Sequence, residues 1–141
     1  AYARLDRPKR AVADYQAALA LVPNEPMALR HYALFLAHRK KDLNQALQLA
    51  KQGARAHPDD PKALDTLGWV HFKRGSVSEA ERYLRKAMKA GLVPAAVYDH
   101  FGEVQRALGN DRLAREYWKK ALEMDPERNG VREKLRALPQ S

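Results

Sequence analysis

An all-α fold, built as a stack of antiparallel helix pairs, is predicted by three features of the sequence. β-branched residues are scarce, while Ala, Leu, Lys, Arg, Glu and Gln dominate, which is a helix-forming composition. The stretch "LGWVHFKRGSVSEAERYLRKAM" at 67–88 returns 34 residues later as "FGEVQRALGNDRLAREYWKKAL". Gly102 and Gly109 stand there as Gly68 and Gly75 do, Ala114 matches Ala80, and Ala121 matches Ala87. Prolines punctuate the same period: Pro58 and Pro126 lie 68 apart, and Pro23 lies 35 before Pro58.

Composition limits the function classes. The chain has 141 residues, 45% hydrophobic and 30% charged, so it can bury a core and is not disordered by composition. No apolar run reaches the length of a membrane-spanning helix, and neither end reads as a signal peptide. The absence of cysteine excludes disulfides, thiolate metal sites and a cysteine nucleophile. A net charge of +9 makes anionic partners worth weighing.

The repeat divides the chain into half a unit (1–23), three whole units (24–58, 59–94 and 95–126) and a tail (127–141). In the half unit, "AYARL" reads as the end of a helix whose beginning is absent, so the chain is expected to be an excised or processed piece. Tyr2, Leu5, Val12, Tyr15 and Leu19 should then expose apolar surface, predicting self-association or fraying over residues 1–20. Each whole unit should hold two helices of about 13 residues joined by short turns. The first helix of the first whole unit opens at Pro26, with Asn24 nearby as a cap. That of the second opens at Pro61, capped by Asp59 or Asp60. The turn in "HRKKDLN" carries one surplus residue, after which "Asp42-Leu43-Asn44-Gln45" should open the second helix. Gly75 and Gly109 suit the left-handed residue that closes a first helix, and "Ser76-Val77-Ser78-Glu79" reads as a capping box. At the end of the second whole unit Leu92 replaces the expected proline, and Pro94 follows Gly91. Gly68 and Gly102 lie in mid-helix, where glycine costs roughly 1 kcal/mol against alanine. That cost is explained if the second helix crosses closely there, with Ala80, Ala87, Ala114 and Ala121 facing and Leu67, Leu84, Phe101 and Trp118 filling between. The tail is amphipathic through Val131, Leu135 and Leu138 and reads as a capping helix. In all, seven substantial helices, a short N-terminal remnant and no strand are expected.

At these residues the sequence resembles the tetratricopeptide repeat (TPR) family. "Leu64-x-x-Leu67-Gly68-x-x-His71", Ala80, Leu84 and Ala87 follow its pattern, as do "Tyr98-x-x-Phe101-Gly102", Ala114, Trp118, Ala121 and Pro126. The first whole unit keeps Leu29, Tyr32, Ala33, Leu36, Ala46 and Pro58, with Gly53 in place of the second alanine. The half unit keeps Tyr2, Ala11, Tyr15, Ala18 and Pro23. "DTLGW", "DHFGEV" and "EYWKKALEMDPE" look most like the closing repeats of bacterial TPR proteins, which occur in the cytoplasm and in cell-envelope assembly or export systems. The resemblance implies a right-handed α-solenoid whose first helices line a concave groove that binds a protein or peptide and performs no chemistry. Family members that clamp the C-terminal carboxylate of heat-shock chaperones carry Lys and Asn on that face. The matching positions here are Arg30, Leu34, Asp65, Trp69, Asp99 and Glu103, which argues against such a clamp.

The groove candidates are Arg30, Leu34, His38, Lys62, Asp65, Trp69, Phe72, Lys73, Asp99, Glu103 and Arg106. Trp69 and Phe72 share a helix face and could anchor a ligand, or Trp69 could pack on a neighbouring first helix. Arg30, Asp65 and Asp99 occupy matching places, forming either a polar track for a ligand or an Arg30–Asp65 ion pair between repeats. Asp99 and Glu103 repel each other at helical neighbour spacing, which favours a basic ligand group.

Catalytic and metal constellations are absent from the sequence. The histidines at 31, 38, 57, 71 and 100 show no three- or four-residue ligand spacing, and serine occurs only at 76, 78 and 141. No glycine-rich phosphate loop occurs, and no cofactor is implied. A second class of function, RNA or polyanion binding, would use the basic stripe Arg82, Arg85, Lys86 and Lys89 and the cluster Arg39-Lys40-Lys41. The stripe falls on a convex second helix and the fourth unit is slightly acidic, so no continuous nucleic-acid track emerges.

Overall fold

The computed structural model describes residues 2–139, with side chains from residue 7 onward. Among the described residues there are eight helices and no strand. They are α1 (Tyr2–Leu21), α2 (Pro26–His38), α3 (Leu43–Ala56), α4 (Pro61–Lys73), α5 (Val77–Lys89), α6 (Ala95–Ala107), α7 (Asp111–Met124) and α8 (Val131–Ala137).

Each pair α2/α3, α4/α5 and α6/α7 packs face to face, and each second helix also packs on the next first helix. First helices contact each other directly, α2 on α4 and α4 on α6, so the core runs continuously from repeat to repeat. Its first part gathers Leu29, Tyr32, Leu36, Leu47, Leu67 and Val70. The second joins Leu64, Leu84, Val97, Phe101 and Val104, and the third closes Trp118 under Val131 of the last helix and Leu138 just after it.

The mid-helix glycines mark the two closest crossings. A Cβ on Gly68 would meet Leu84 Cγ at 3.0 Å and the Ala80 carbonyl at 3.2 Å. On Gly102 it would lie 2.6 Å from Trp118 Cδ1 and closer still to Nε1. Ala80, Ala87, Ala114 and Ala121 are fully buried opposite, as their spacing predicts.

Helix ends follow the sequence in some places and depart from it in others. Gly75 and Gly109 adopt φ of +89° and +85° and close their helices. Asp60 caps α4 by accepting from Lys62 N at 3.0 Å, and Glu25, rather than Asn24, caps α2 by accepting from Ala28 N at 2.7 Å. The two expected capping boxes do not form. Ser76 makes no side-chain cap bond. Its backbone N–H, which Glu79 would accept from in a box, donates to the His71 carbonyl at 2.8 Å, and the Glu79 carboxylate pairs with Arg82 at 2.6 Å. Asp42 sits at φ +52° and also makes none, while Gln45 donates instead to the Tyr32 hydroxyl at 3.1 Å.

The separate N-terminal remnant is also absent: α1 is one helix that continues through Pro8. No glycine occurs before Gly53 to turn the chain, so the helix runs on although an interior proline removes one ladder hydrogen bond and crowds the preceding turn. Val12, Tyr15 and Leu19 pack against the first core, with the Tyr15 ring 5.4 Å from that of Tyr32. The expectations for the Tyr2 and Leu5 side chains lie outside the described residues.

Candidate functional site

Because units recur at 34 or 35 residues, the first helices bring equivalent side chains into rows. Leu34, Trp69 and Glu103 form a central row; Arg30, Asp65 and Asp99 form the row beside it. The helix-to-helix stacking of α2, α4 and α6 sets these rows side by side on one face. Arg30, Leu34, Trp69, Phe72, Lys73 and Glu103 are half-buried there, while His38, Lys62 and Arg106 are exposed.

The row of carboxylates is already occupied. Asp65, 7% exposed, takes His100 Nδ1 of the next first helix at 2.7 Å. Asp99, 4% exposed, takes Arg128 Nε and Lys134 Nζ, each at 2.8 Å, and Lys134 also reaches Glu103 at 2.7 Å. Both stitches span 35 residues, from Asp65 to His100 and from Asp99 to Lys134. Helix α8 therefore offers Asp99 the contact that a following first helix would offer. Burial pushes the Asp99 carboxyl upward, but the hydrogen bonds and charges of Lys134 and Arg128 outweigh it and hold the group below its ordinary value. Burial likewise works against charged Lys134, yet Asp99 and Glu103 keep its proton affinity raised.

Two expectations are corrected here. The Arg30–Asp65 pair does not form: the Asp65 carboxylate points forward to α6, and the Arg30 guanidinium hydrogen-bonds its neighbour His31 at 3.4 Å. Nor do Asp99 and Glu103 await a basic ligand group, since Lys134 already bridges them. The spacing that carries these stitches was present in the sequence, in the 35-residue interval from each aspartate to a base.

Trp69 packs against the neighbouring first helix. Its ring stacks on His100 at 4.0 Å and on Phe72 at 5.2 Å, with Lys73 Nζ 4.8 Å from its centroid. Phe72 leans on the second core cluster. What remains open is the partly exposed edge of Trp69, continuous with Leu34. On the same first helices stand Arg30, Lys62, Lys73 and Arg106, none with a carboxylate within ion-pair distance among the described residues.

On the outer face two of the four stripe cations are paired within the chain. Glu79 pairs with Arg82 at 2.6 Å and Glu81 with Arg85 at 3.2 Å, at three- and four-residue spacings visible in "SEAERYLRK". Arg85 also lies over the Phe101 ring, and Lys86 over that of Tyr83. Among the described residues no cluster of three or more His, Cys, Asp or Glu could hold a metal, and no helix is long and apolar enough to cross a membrane.

Stacked helix pairs with a side-chain track along their first helices define a helical-repeat solenoid. Three tetratricopeptide repeat models match the chain, over residues 1–61, 37–99 and 95–128. The chain belongs to the tetratricopeptide repeat family. It is 36% identical over 76 residues to a TPR repeat-containing protein of Pseudomonas aeruginosa, a match covering 54% of this chain and 13% of that one. Among solved structures it is similar to Pseudomonas aeruginosa pilF, at 18% identity and a TM-score of 0.77, covering 95% of this chain and 61% of that one. It is similar as well to the first TPR of Spaghetti (RPAP3) bound to HSP90 peptide SRMEEVD, at 18% identity and a TM-score of 0.69, covering 79% and 88% of the two chains. These structural likenesses establish the fold.

Proposed function

We propose that this chain is a non-catalytic scaffold that binds a protein or peptide partner along its first helices. The observation that carries the reading is the half-buried Leu34–Trp69 row, left open among cations while every carboxylate beside it is satisfied within the chain. An apolar strip with fixed flanking charges is what an extended ligand needs, since it offers area without rotamers to freeze. The solved neighbour that holds an HSP90 peptide supports a peptide in such a groove. A chaperone carboxylate clamp is not part of this proposal, because Leu34, Asp65, Trp69, Asp99 and Glu103 occupy the positions the clamp would need. The assay is photo-crosslinking with benzoylphenylalanine in place of Leu34 or, separately, of Lys86. Adducts from position 34 but not 86 support the inner groove. Adducts from 86 alone would return binding to the outer face and to the polyanion reading.

A further inference from the structure

We infer that the groove ligand is an acidic segment carrying apolar residues, an inference that rests on the groove reading above. Six cations face or border this surface: Arg30, Lys62, Lys73, Arg106, Arg128 and Lys134. The carboxylates beside them are Asp60, Asp65, Asp99 and Glu103, and all four are engaged: Asp60 caps α4 by accepting from Lys62 N. Asp65 holds His100, while Asp99 and Glu103 hold Lys134, with Arg128 on Asp99. The end of the groove nearest α8 is closed electrostatically by the chain itself. The uncompensated charge along these first helices is therefore positive, with Lys73 directly over the Trp69 ring.

Helix dipoles explain only part of this pattern. Lys73 and Arg106 stand in the last turns of α4 and α6, where a cation complements the carbonyl end. Lys62 stands in the first turn of α4, where a cation is opposed by the dipole. None of α2, α4 and α6 carries an acidic residue in its first turn, whereas the outer helices α5 and α7 carry Glu79 and Asp111 there. The starts of α2 and α4 are served instead by the caps Glu25 and Asp60, and the outer α3 has no first-turn acid either, so the case for an acidic ligand rests on the unpaired cations. A nucleic acid would find the charge but not its usual stacking platform, because the Trp69 ring is stacked on His100 and Phe72.

Fluorescence anisotropy with the full chain tests this at low and moderate salt. The probes are a labelled Glu-Glu-Leu nonapeptide, the matching Lys-Lys-Leu nonapeptide and a decauridylate. The acidic peptide should bind at least on the order of tenfold more tightly than the basic one, less so as salt rises. Lys62→Glu combined with Lys73→Glu should abolish or invert that order. Lys62→Glu with Arg106→Glu, both at exposed positions, should weaken it without disturbing the Trp69 stack. Tighter binding of the basic peptide, or no binding of either, overturns the acidic class and leaves the groove to the crosslinking result. Acidic-peptide affinity unchanged in both charge-reversed variants overturns the location. Decauridylate binding as tight as the acidic peptide, and unaffected by Leu34→Ser, would show charge attraction without a site and also overturn the inference.

Discussion

Gly102→Ala should be the most revealing single substitution in the solenoid. Adding one methyl in mid-helix ordinarily stabilises, by roughly 1 kcal/mol of helix propensity. Here the new Cβ would fall 2.6 Å from Trp118 Cδ1, inside any real carbon contact. Trp118 cannot easily yield, because it is fully buried and its Nε1 donates to the Asp99 carbonyl at 3.0 Å. Overpacking of this kind costs about 1–3 kcal/mol, and a displaced indole hydrogen bond adds about 1 kcal/mol. The net expectation is a loss of about 1–3 kcal/mol. At roughly 4 °C per kcal/mol, the melting temperature should fall by about 4–12 °C. Gly68→Ala is the milder comparison: its Cβ would meet Leu84 Cγ at 3.0 Å and the Ala80 carbonyl oxygen at 3.2 Å, a less severe overlap than at Gly102, so its loss should be smaller. Thermal melts followed by circular dichroism decide it. Equal melting temperatures for the parent and Gly102→Ala, or a larger loss at Gly68, would refute the close-crossing explanation.

Asp99→Asn should cost about 1–3 kcal/mol by removing the charge that Lys134 and Arg128 share, and amide-exchange protection across α8 should drop with it. Retained protection would show that α8 is held by Val131 and Leu138 alone. In acid, the depressed folded-state value of Asp99 means its contribution is complete above the unfolded carboxyl value of about 3.9 and is lost as pH falls below it. His71 behaves similarly at higher pH. Desolvation lowers its proton affinity, against the pull of Glu79, so the buried neutral ring stabilises above pH of about 6.5 and the benefit is lost on acidification. His71→Phe, which keeps the stack on Tyr83, should therefore melt with less pH dependence between about 7.5 and 5. An NMR titration midpoint for His71 at or above the ordinary histidine value would contradict this. Tyr15→Ala should loosen α1 from α2 by removing the Tyr32 and Phe35 ring contacts, costing about 1–3 kcal/mol, and proteolysis should then begin within α1.

Period and composition were enough to place the helices, because glycine, alanine and proline act locally and by size. Gly102 opposite Trp118 could be read from a 34-residue alignment without any coordinates. The capping boxes failed for a different reason. Ser76 and Glu79 fit a local pattern, but the Ser76 N–H is taken by the His71 carbonyl that closes α4, and Glu79 turns to Arg82 one turn away. The groove was only half readable. Its rows follow from spacing, yet which carboxylates stay available depends on α8, and a tail helix has no repeat partner to align with. Lys134 therefore looked like a surface lysine of a capping helix, although it neutralises two of the residues expected to bind a ligand. On the outer stripe, Arg82 and Arg85 take Glu79 and Glu81 at helical neighbour spacing, while Lys86 and Lys89 take no carboxylate among the described residues.

Binding along the first helices is tested most directly by titrating the segment captured in crosslinking against three proteins matched for melting temperature. These are the parent, the groove variant Leu34→Ser/Lys62→Glu/Lys73→Glu, and the outer variant Arg82→Ser/Arg85→Ser/Lys86→Ser. The groove variant should lose about 3 kcal/mol of affinity, on the order of a hundredfold, and the outer variant should bind as the parent does. Parent-like affinity in the groove variant, with loss in the outer one, would place the partner on the convex face and contradict the groove.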